Sequence, residues 1–197
     1  MKVGIIGIGA IARIHIPALL KAGQTITALC DIKIDRSLSA NRDFGLNAKA
    51  YEDYKEMLLR ENLDAVHICT PHYLHAEMIC FALDRNINVL CEKPVAIDFG
   101  QLSRIERSVN GSLAQLGVCQ QNRYKESMLF IKDYFKDKEI TAASGYLCWQ
   151  RVSGKFNVKH RSGDLDNGAN ILLTHWQNSL CCRGRGALAD PSSRSVL

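Results

Sequence analysis

The stretch KVGIIGIGAIA, at residues 2–12, decides the fold of this chain. Its first five residues, KVGII at 2–6, form a short apolar run of the kind that buried strands use. The six residues that follow read G-x-G-x-x-A and are Gly7, Ile8, Gly9, Ala10, Ile11 and Ala12. Apolar residues then recur at helical spacing over residues 11–22. The opening of the chain therefore predicts a strand, a glycine turn and a helix.

Each small residue of the turn has a physical use. Gly7 permits the tight reversal from strand to helix, and Gly9 lacks a side chain, so that a pyrophosphate can approach the backbone. Ala12 is small enough for the helix to pack closely on the strand. The N-terminus of the helix offers free N–H groups and a partial positive charge to phosphates. Because the motif lies between a strand and a helix, it predicts a dinucleotide-binding turn.

Strands and helices alternate strictly along the next hundred residues. Besides 2–6, the predicted strands are 25–30, 49–51, 64–70, 87–92 and 113–119. The predicted helices are 11–22, 35–44, 54–60, 74–85, 99–110 and 127–135. Alternation with short connections implies a doubly wound parallel α/β sheet with helices on both faces, which is the Rossmann architecture.

Asp31 follows the second predicted strand, nineteen residues after Ala12. An acid at this point can accept hydrogen bonds from both ribose hydroxyls, and it repels a 2′-phosphate. Arg36, five residues further on, could tolerate a 2′-phosphate, so NADP(H) stays open while NAD(H) is favoured. The alternative interpretation of Asp31 is a helix N-cap in the loop before residue 35.

The fourth predicted strand ends in polar residues. Thr70, Pro71 and His72 close this strand, and His75 lies three residues beyond. In an open α/β sheet, ligands collect at the carboxyl ends of the strands. We therefore expect these four residues to belong to the coenzyme site.

Glu92, Lys93 and Pro94 end the fifth predicted strand. Out of context such a triplet is usually a surface turn, but here it follows a buried strand. A lysine at this place would face the nicotinamide end of the coenzyme, where it could exchange a proton with a substrate hydroxyl.

Three blocks of sequence carry a family resemblance: GIGAIARIHIPAL at 7–19, ICTPHYLHAEM at 68–78 and CEKPVA at 91–96. Together with VCQQNRY at 118–124, they resemble the Gfo/Idh/MocA family, the relatives of glucose-fructose oxidoreductase and inositol dehydrogenase. The resemblance implies an NAD(P)-dependent oxidoreductase that acts on a sugar, a cyclitol or a related polyol. It extends over residues 1 to about 150.

The resemblance also implies roles for individual residues. Lys93 takes the place of the family's catalytic lysine, and Glu92 and Pro94 would shape the coenzyme pocket. The residues of the fourth strand end would line the nicotinamide ribose; they are Thr70, Pro71 and His72. Asn122 and Arg123 lie where the chain enters the second domain and would touch substrate or coenzyme. His15 also matches a family position, and a structural histidine near the coenzyme is the favoured interpretation.

The family pattern weakens towards the C-terminus. Relatives carry a glycine-rich stretch followed by a catalytic histidine and, three residues on, an aspartate. Here Asp166-Asn167-Gly168-Ala169 precedes His175, the candidate second catalytic residue, but Asn178 stands where the aspartate would be. We therefore expect a Rossmann domain at 1–119, followed at 120–197 by the beginning of an incomplete α+β substrate domain with a strand at 140–150. The final residues resemble neither the sheet of the family's second domain nor a finished domain. This mismatch predicts a truncated or frame-shifted product that departs from the family between residues 152 and 165.

Composition limits the remaining functions. The 197 residues carry a net charge of +5 without a basic cluster, so nucleic acid is not an expected partner. No apolar window or leader is long enough to predict a membrane span or a secretory signal, so a cytoplasmic protein is expected. The eight cysteines contain no C-x-x-C pair, which argues against a metal site. Four of them lie at predicted strand ends, where small buried thiols are common: Cys30, Cys69, Cys91 and Cys119.

Two functions remain open on these grounds. The first is a dehydrogenase of the family described above, which would form a homo-oligomer through the sheet of its second domain if that domain were complete. The second is a non-catalytic NAD(P)-binding remnant that has lost its substrate domain. Both predict binding of the coenzyme, and only the first predicts turnover of a sugar or polyol.

Overall fold

The computed structural model describes residues 1–138, and this range contains six strands and six α-helices. The strands β1 to β6 are Lys2–Ile6, Thr25–Cys30, Lys49–Tyr51, Ala65–Ile68, Asn88–Cys91 and Leu116–Val118. The helices α1 to α6 are Ala12–Lys21, Ile34–Phe44, Tyr54–Arg60, His75–Leu83, Phe99–Gly111 and Glu126–Tyr134. Short 3₁₀ turns lie at His72–Leu74 and Gln121–Tyr124.

The six strands form one parallel sheet in the order β3-β2-β1-β4-β5-β6. The chain winds outward from β1 in one direction through β3, then crosses to β4 and winds outward in the other direction. The strand order reverses between β1 and β4, and a crevice for ligands opens at the carboxyl ends of the strands at such a point. The predicted doubly wound parallel sheet is confirmed.

Alternate residues of the strands face two separate cores. In β1, Val3 and Ile5 pack with α1 and α2 on one face, whereas Ile6 packs with α3, α4 and α5 on the other. Side chains alternate across a strand, so a short run such as KVGII supplies both cores at once. All three of these side chains are buried, which makes β1 the centre of the fold.

Three predicted elements are shorter in the structure by two or more residues at one end. The strand expected at 64–70 covers only Ala65–Ile68, and the chain then turns towards Pro71. The strand expected at 113–119 begins at Leu116, because Ser112 Oγ accepts the N–H of Ala114 in a turn. The helix expected at 74–85 ends at Leu83, since Asn86 takes a left-handed conformation with φ of 57°.

The predicted division at residue 119 falls directly after β6. The helix expected at 127–135 is present as Glu126–Tyr134, with exposed apolar side chains. The strand expected at 140–150, the tail, His175 and most of the predicted second domain lie outside the described residues. None of the helices within residues 1–138 has the length and apolar content needed to cross a bilayer.

Candidate active site

The turn between β1 and α1 is built on two glycines with different constraints. Gly7 has a φ of +87°, and a Cβ there would lie 2.8 Å from the carbonyl oxygen of Cys69. A Cβ on Gly9 would meet no atom within 4 Å. Any larger residue at position 7 would be strained and would clash with the backbone of Cys69. A side chain at position 9 would extend into open space beside the turn.

The N-terminus of α1 is suited to an anion. Within residues 1–138 no side chain caps this helix, and its first turn contains no acidic residue. Ala12 is fully buried, which brings the start of the helix close to the sheet. Free N–H groups at such a helix end, together with the helix dipole, favour a phosphate. The open space at Gly9 and the uncapped helix both fit a dinucleotide diphosphate.

Asp31 lies at the end of β2 and contacts the glycine turn directly. One of its carboxylate oxygens accepts the N–H of Ile8 at 2.9 Å, and the other accepts the N–H of Lys33 at 2.9 Å. The side chain of Asp31 is buried, while Arg36 is half-exposed and places Nη1 3.4 Å from both carboxylate oxygens. Helix α2 begins at Ile34 with Lys33 in the N-cap position, so the alternative interpretation of Asp31 as the N-cap is wrong.

A cavity of about 500 Å³ extends from the glycine turn along α1 and α2. It is lined by Ile8, Gly9, Ala10, Arg13, Asp35, Arg36 and Ser39. Arg13 is held in place by Asp43, whose Oδ2 lies 2.8 Å from its Nη2. The lining joins the predicted phosphate turn to Arg36, and it adds Arg13 and Ser39, which the sequence motif did not single out.

The ends of β4 and β5 are tied together by His75. This residue is fully buried, and its ring nitrogens lie 2.8 Å from the carbonyl oxygen of Pro94 and 2.9 Å from that of Thr70. Burial lowers the pKa of His75, although both carbonyl oxygens oppose that shift. Because the ring is enclosed, the contacts in the structure are with the two loops, and its predicted contact with the coenzyme stays a prediction.

Lys93 projects from the end of β5 next to these loops. Its side chain is half-buried and forms no hydrogen bond or ion pair with another described residue. The neighbouring Glu92 is buried, and the Lys93–Pro94 peptide bond is cis. The structure thus places the Lys93 side chain at the carboxyl edge of the sheet, where no residue of the range 1–138 forms a hydrogen bond or ion pair with it.

A chain of polar side chains connects Glu92 to the interior. The carboxylate oxygen Oε1 of Glu92 lies 3.0 Å from Nε2 of His15, and Nδ1 of His15 lies 3.0 Å from Nδ1 of His67. The thiol of Cys119 lies 4.0 Å from the same Nε2 of His15. The expectation for His15, a structural histidine near the predicted coenzyme site, agrees with these contacts.

The environment shifts the protonation of this group. Burial lowers the pKa of His67 to about 4, and the neighbouring His15 adds to that shift. Burial by itself would raise the pKa of Glu92, but its contacts with His15 and Lys93 lower it overall. Burial and the charge of Glu92 raise the pKa of the Cys119 thiol to about 12. We therefore expect a neutral His67 and an ionised Glu92 at neutral pH.

The other strand-end cysteines act as core residues. Cys30, Cys69 and Cys91 are buried free thiols, and burial raises the pKa of the Cys30 thiol to about 12. Burial also raises the pKa of the thiols of Cys69 and Cys91. The expectation of small buried thiols is confirmed for these three.

The predicted site residues are brought together at the carboxyl edge of the sheet, with one group set apart. The turn 7–12, Asp31, and the ends of β4 and β5 surround the crevice between β1 and β4. Asn122 and Arg123 lie in the 3₁₀ turn after β6, where Asn122 is exposed and Arg123 half-buried. A second cavity, of about 1060 Å³, runs along β4, β5 and β6 to this turn and includes His67 and Cys119 in its lining.

The sequence did not predict that Glu92 contacts His15 and Cys119, or that His67 contacts the other ring nitrogen of His15. The signal for His67 was a histidine inside the apolar run AVHI, where a polar residue calls for a partner. Nothing in the spacing of His15, His67 and Cys119 indicates that they meet, because three different elements carry them.

The doubly wound parallel sheet, with a glycine turn at its carboxyl edge, defines a Rossmann-type nucleotide-binding domain of the kind that oxidoreductases use. Residues 1–118 match the model of the Gfo/Idh/MocA family, described as an oxidoreductase family with an NAD-binding Rossmann fold. The chain therefore belongs to this family, and the predicted nicotinamide dinucleotide-binding domain is confirmed.

Several curated relatives are inositol dehydrogenases. Inositol 2-dehydrogenase of Salmonella typhimurium is 30% identical over 145 residues, which is 71% of this chain and 43% of the relative. Inositol 2-dehydrogenase/D-chiro-inositol 3-dehydrogenase of Lactiplantibacillus plantarum is 35% identical over 124 residues, 60% of this chain and 35% of the relative. The chain spans less than half the length of these relatives.

A solved structure of an inositol dehydrogenase has a similar fold over the described part of this chain. The crystal structure of myo-inositol dehydrogenase from Lactobacillus casei, in complex with NAD(H) and myo-inositol, aligns with a TM-score of 0.66 and 31% identity. The alignment covers 69% of this chain and 41% of that one.

Proposed function

We propose that this protein is an NAD(P)-dependent oxidoreductase that transfers a hydride between the nicotinamide and a CH–OH group of a sugar, a cyclitol or a related polyol. The observation that carries the proposal is the position of Lys93. It lies at the carboxyl end of β5, on the sheet edge that also holds the uncapped turn of residues 7–12. A binding turn and an unpaired ammonium on one edge provide the two parts of such a site.

The chain's own groups divide the binding of the coenzyme. The N–H groups at the start of α1 hold the diphosphate, which reaches them over Gly9. Asp31 faces the ribose hydroxyls and disfavours a 2′-phosphate, so NAD(H) is preferred. The carboxylate of Asp31 already accepts the N–H of Ile8, which sets its position relative to the turn.

Lys93 handles the proton of the substrate hydroxyl. The bound coenzyme supplies the hydride acceptor, and an alcohol can give up its hydride only as its hydroxyl proton leaves. When the alcohol is oxidised, Lys93 accepts the hydroxyl proton as the neutral amine, and the resulting ammonium stabilises negative charge on the substrate oxygen; in the reverse direction the ammonium returns the proton. Glu92, anchored to His15 at 3.0 Å, keeps the base of the Lys93 loop in place. Thr70, Pro71 and Pro94 shape the pocket around the nicotinamide, and Asn122 and Arg123 approach it from the second domain.

The relatives support the substrate class. Several curated relatives are inositol dehydrogenases, and the Lactobacillus casei enzyme was crystallised with NAD(H) and myo-inositol. A cyclitol is therefore the first substrate to test.

All five cysteines within residues 1–138 are free thiols, which fits a reducing compartment and supports the cytoplasm as the place of action.

The test is coenzyme reduction by the full chain with a panel of inositols and sugars. We expect turnover with at least one cyclitol, and a loss of about 10²–10⁴-fold in kcat for Lys93→Met. Lys21→Met is the matched control, because Lys21 is an exposed lysine in the last turn of α1. Equal turnover in Lys93→Met and the control would remove Lys93 from the reaction.

Coenzyme preference tests the role of Asp31. In Asp31→Ser we expect the ratio of NAD(H) to NADP(H) affinity to fall by about tenfold or more, which corresponds to about 1.4 kcal/mol. An unchanged ratio would show that Asp31 only supports the turn through Ile8. Coenzyme binding without turnover of any cyclitol or sugar would favour the alternative, a non-catalytic NAD(P)-binding remnant.

A further inference from the structure

Three side chains of different chemistry converge on one point beside β5. They are His15 from α1, Glu92 from the end of β5 and Cys119 from the end of β6. The imidazole Nε2, a carboxylate oxygen and the thiol sulfur all lie within 4.8 Å of one another. The group therefore offers one nitrogen, one oxygen and one sulfur atom as possible metal ligands.

The carboxylate of Glu92 is the hydrogen-bond partner of both other side chains, because it accepts a hydrogen bond from the thiol of Cys119 and also faces the imidazole of His15. The same atom, Nε2 of His15, faces the carboxylate of Glu92 at 3.0 Å and the sulfur of Cys119 at 4.0 Å. A ring nitrogen carries at most one proton or one lone pair, so it cannot serve both neighbours equally well. A nucleophilic triad would place the thiol and the carboxylate on opposite nitrogens of the ring. A cation between the three atoms would contact all of them.

Two further contacts orient the ligands as metal sites require. The other ring nitrogen of His15 is held by His67 at 3.0 Å, and the second oxygen of Glu92 accepts the backbone N–H of Lys93 at 3.3 Å. Metal-binding histidines and carboxylates are commonly fixed by such outer contacts. His15 and Glu92 are buried, while Cys119 is half-buried and lines the cavity of about 1060 Å³, which provides a way in.

We propose that His15, Glu92 and Cys119 form a binding site for a divalent transition-metal cation, with Zn²⁺ the best match. Zinc takes nitrogen, oxygen and sulfur ligands at about 2.0–2.3 Å in a tetrahedron, which sets the ligand atoms roughly 3.5 Å apart. The observed distances of 3.0 and 4.0 Å lie on either side of that value. Water from the cavity completes the fourth position. On binding, the thiol releases its proton to solvent and the thiolate sulfur bonds the metal.

This proposal goes beyond hydride transfer, because no step of that reaction needs the cation. It also departs from the sequence-based expectation of no metal site. That expectation rested on C-x-x-C spacing, and these ligands are spread over more than a hundred residues. A bound cation would link the point where the chain leaves the sheet to α1 and to the Lys93 loop.

The first test counts Zn²⁺ bound by the full chain after removal of metal with a chelator. Equilibrium dialysis against ZnCl₂ should show one bound ion fewer per chain in Cys119→Ser than in the wild type. Cys80→Ser is the matched control, since Cys80 is also a half-buried free thiol but lies outside the cluster. Metal bound elsewhere in the chain contributes equally to all three proteins. Equal stoichiometry in the wild type and Cys119→Ser would overturn the proposal.

The second test needs no variant and so does not depend on Cys119→Ser folding. Crystals of the wild-type chain grown with ZnCl₂ are measured at the zinc absorption edge. We expect an anomalous peak within about 2.5 Å of Nε2 of His15, a carboxylate oxygen of Glu92 and the sulfur of Cys119. An anomalous map without a peak at these three atoms would overturn the proposal.

Discussion

At the residue scale, Gly7 and His75 show how single positions hold the edge of the sheet together. Gly7 packs against the backbone of Cys69 at the end of β4, and His75 joins the end of β4 to the end of β5. Both contacts fix loops that carry predicted ligand-binding residues. Changes at either position are therefore expected to affect folding before they affect chemistry.

Gly7→Ala is expected to destabilise the fold for two separate reasons. A positive φ costs an alanine about 1–2 kcal/mol, and the clash with Cys69 adds about 1–3 kcal/mol. Gly23→Ala isolates the first cost, because Gly23 also has a positive φ, of +70°, but a Cβ there would meet nothing within 4 Å. Urea unfolding of both variants measures the difference. Equal losses of unfolding free energy would contradict the packing of Gly7 on Cys69.

The buried histidine His75 makes stability depend on pH. Its pKa in the folded chain lies below the ordinary value of 6.5, so the unfolded chain binds a proton more readily. Its contribution is present in full above pH 6.5 and is lost as the pH falls from there through the folded-state pKa. We expect the unfolding free energy of the wild type to drop between pH 7.5 and pH 5. In His75→Gln the drop should be smaller, and a drop of the same size would exclude His75 as a source.

Residue positions were predictable where a local motif fixes them, and the roles of these residues stay predictions. The glycines of the turn, Asp31 after β2 and Lys93 after β5 all lie where their motifs place them. The contact between His15 and Glu92, and that of Cys119 with both, were not predictable in this way. They depend on how α1, β5 and β6 meet in space, and no local spacing encodes that distance.

At the scale of elements, the turn between β1 and α1 combines a glycine that the backbone requires, Gly7, with one that borders open space, Gly9. Gly9 has open space around its Cα, and the helix behind it is uncapped. The order and type of the elements could be predicted because apolar periodicity marks each strand and helix. Element ends were less predictable, since side chains such as Ser112 and backbone conformations such as that of Asn86 decide them.

Gly9→Ala is expected to impair binding while leaving the fold intact. Because the added methyl group meets no protein atom, the unfolding free energy should change by no more than about 0.5 kcal/mol. The methyl group would occupy the space through which the diphosphate reaches the backbone, so NADH affinity should fall at least about tenfold. Calorimetric titration and urea unfolding of the same preparation test both parts. Unchanged affinity would contradict the role of the turn.

At the scale of the whole molecule, four of the candidate groups lie on the edge where the strand order reverses, whereas Asn122 and Arg123 follow β6 at the far end of the sheet. The diphosphate turn, Asp31, the β4 end and Lys93 come from four segments of the chain, and the parallel sheet aligns their carboxyl ends. The alignment was predictable from strict strand and helix alternation alone. The cavity along β4 to β6 was not predictable. It exists because α1 and α2 cover only part of one face of the sheet, and the sequence does not state which part.

Coenzyme binding should stabilise the whole folded chain. A ligand that binds only the folded state adds about 2.7 kcal/mol at a concentration one hundred times its Kd. We therefore expect NADH to raise the midpoint of urea unfolding of the wild type, and to raise it less in Gly9→Ala at the same concentration. Equal shifts in the two proteins would indicate a binding site away from the turn.

We propose that the backbone N–H groups from Gly9 to Ala12 bind the diphosphate of a nicotinamide coenzyme, since the N–H of Ile8 already donates to Asp31 and that of Gly7 to the carbonyl oxygen of Cys30. The most direct measurement is a crystal structure of the chain grown with NADH. We expect density for the diphosphate within hydrogen-bond distance of these N–H groups, with the nicotinamide directed towards Lys93. A coenzyme found elsewhere, for example in the cavity along β4 to β6, would contradict the proposal.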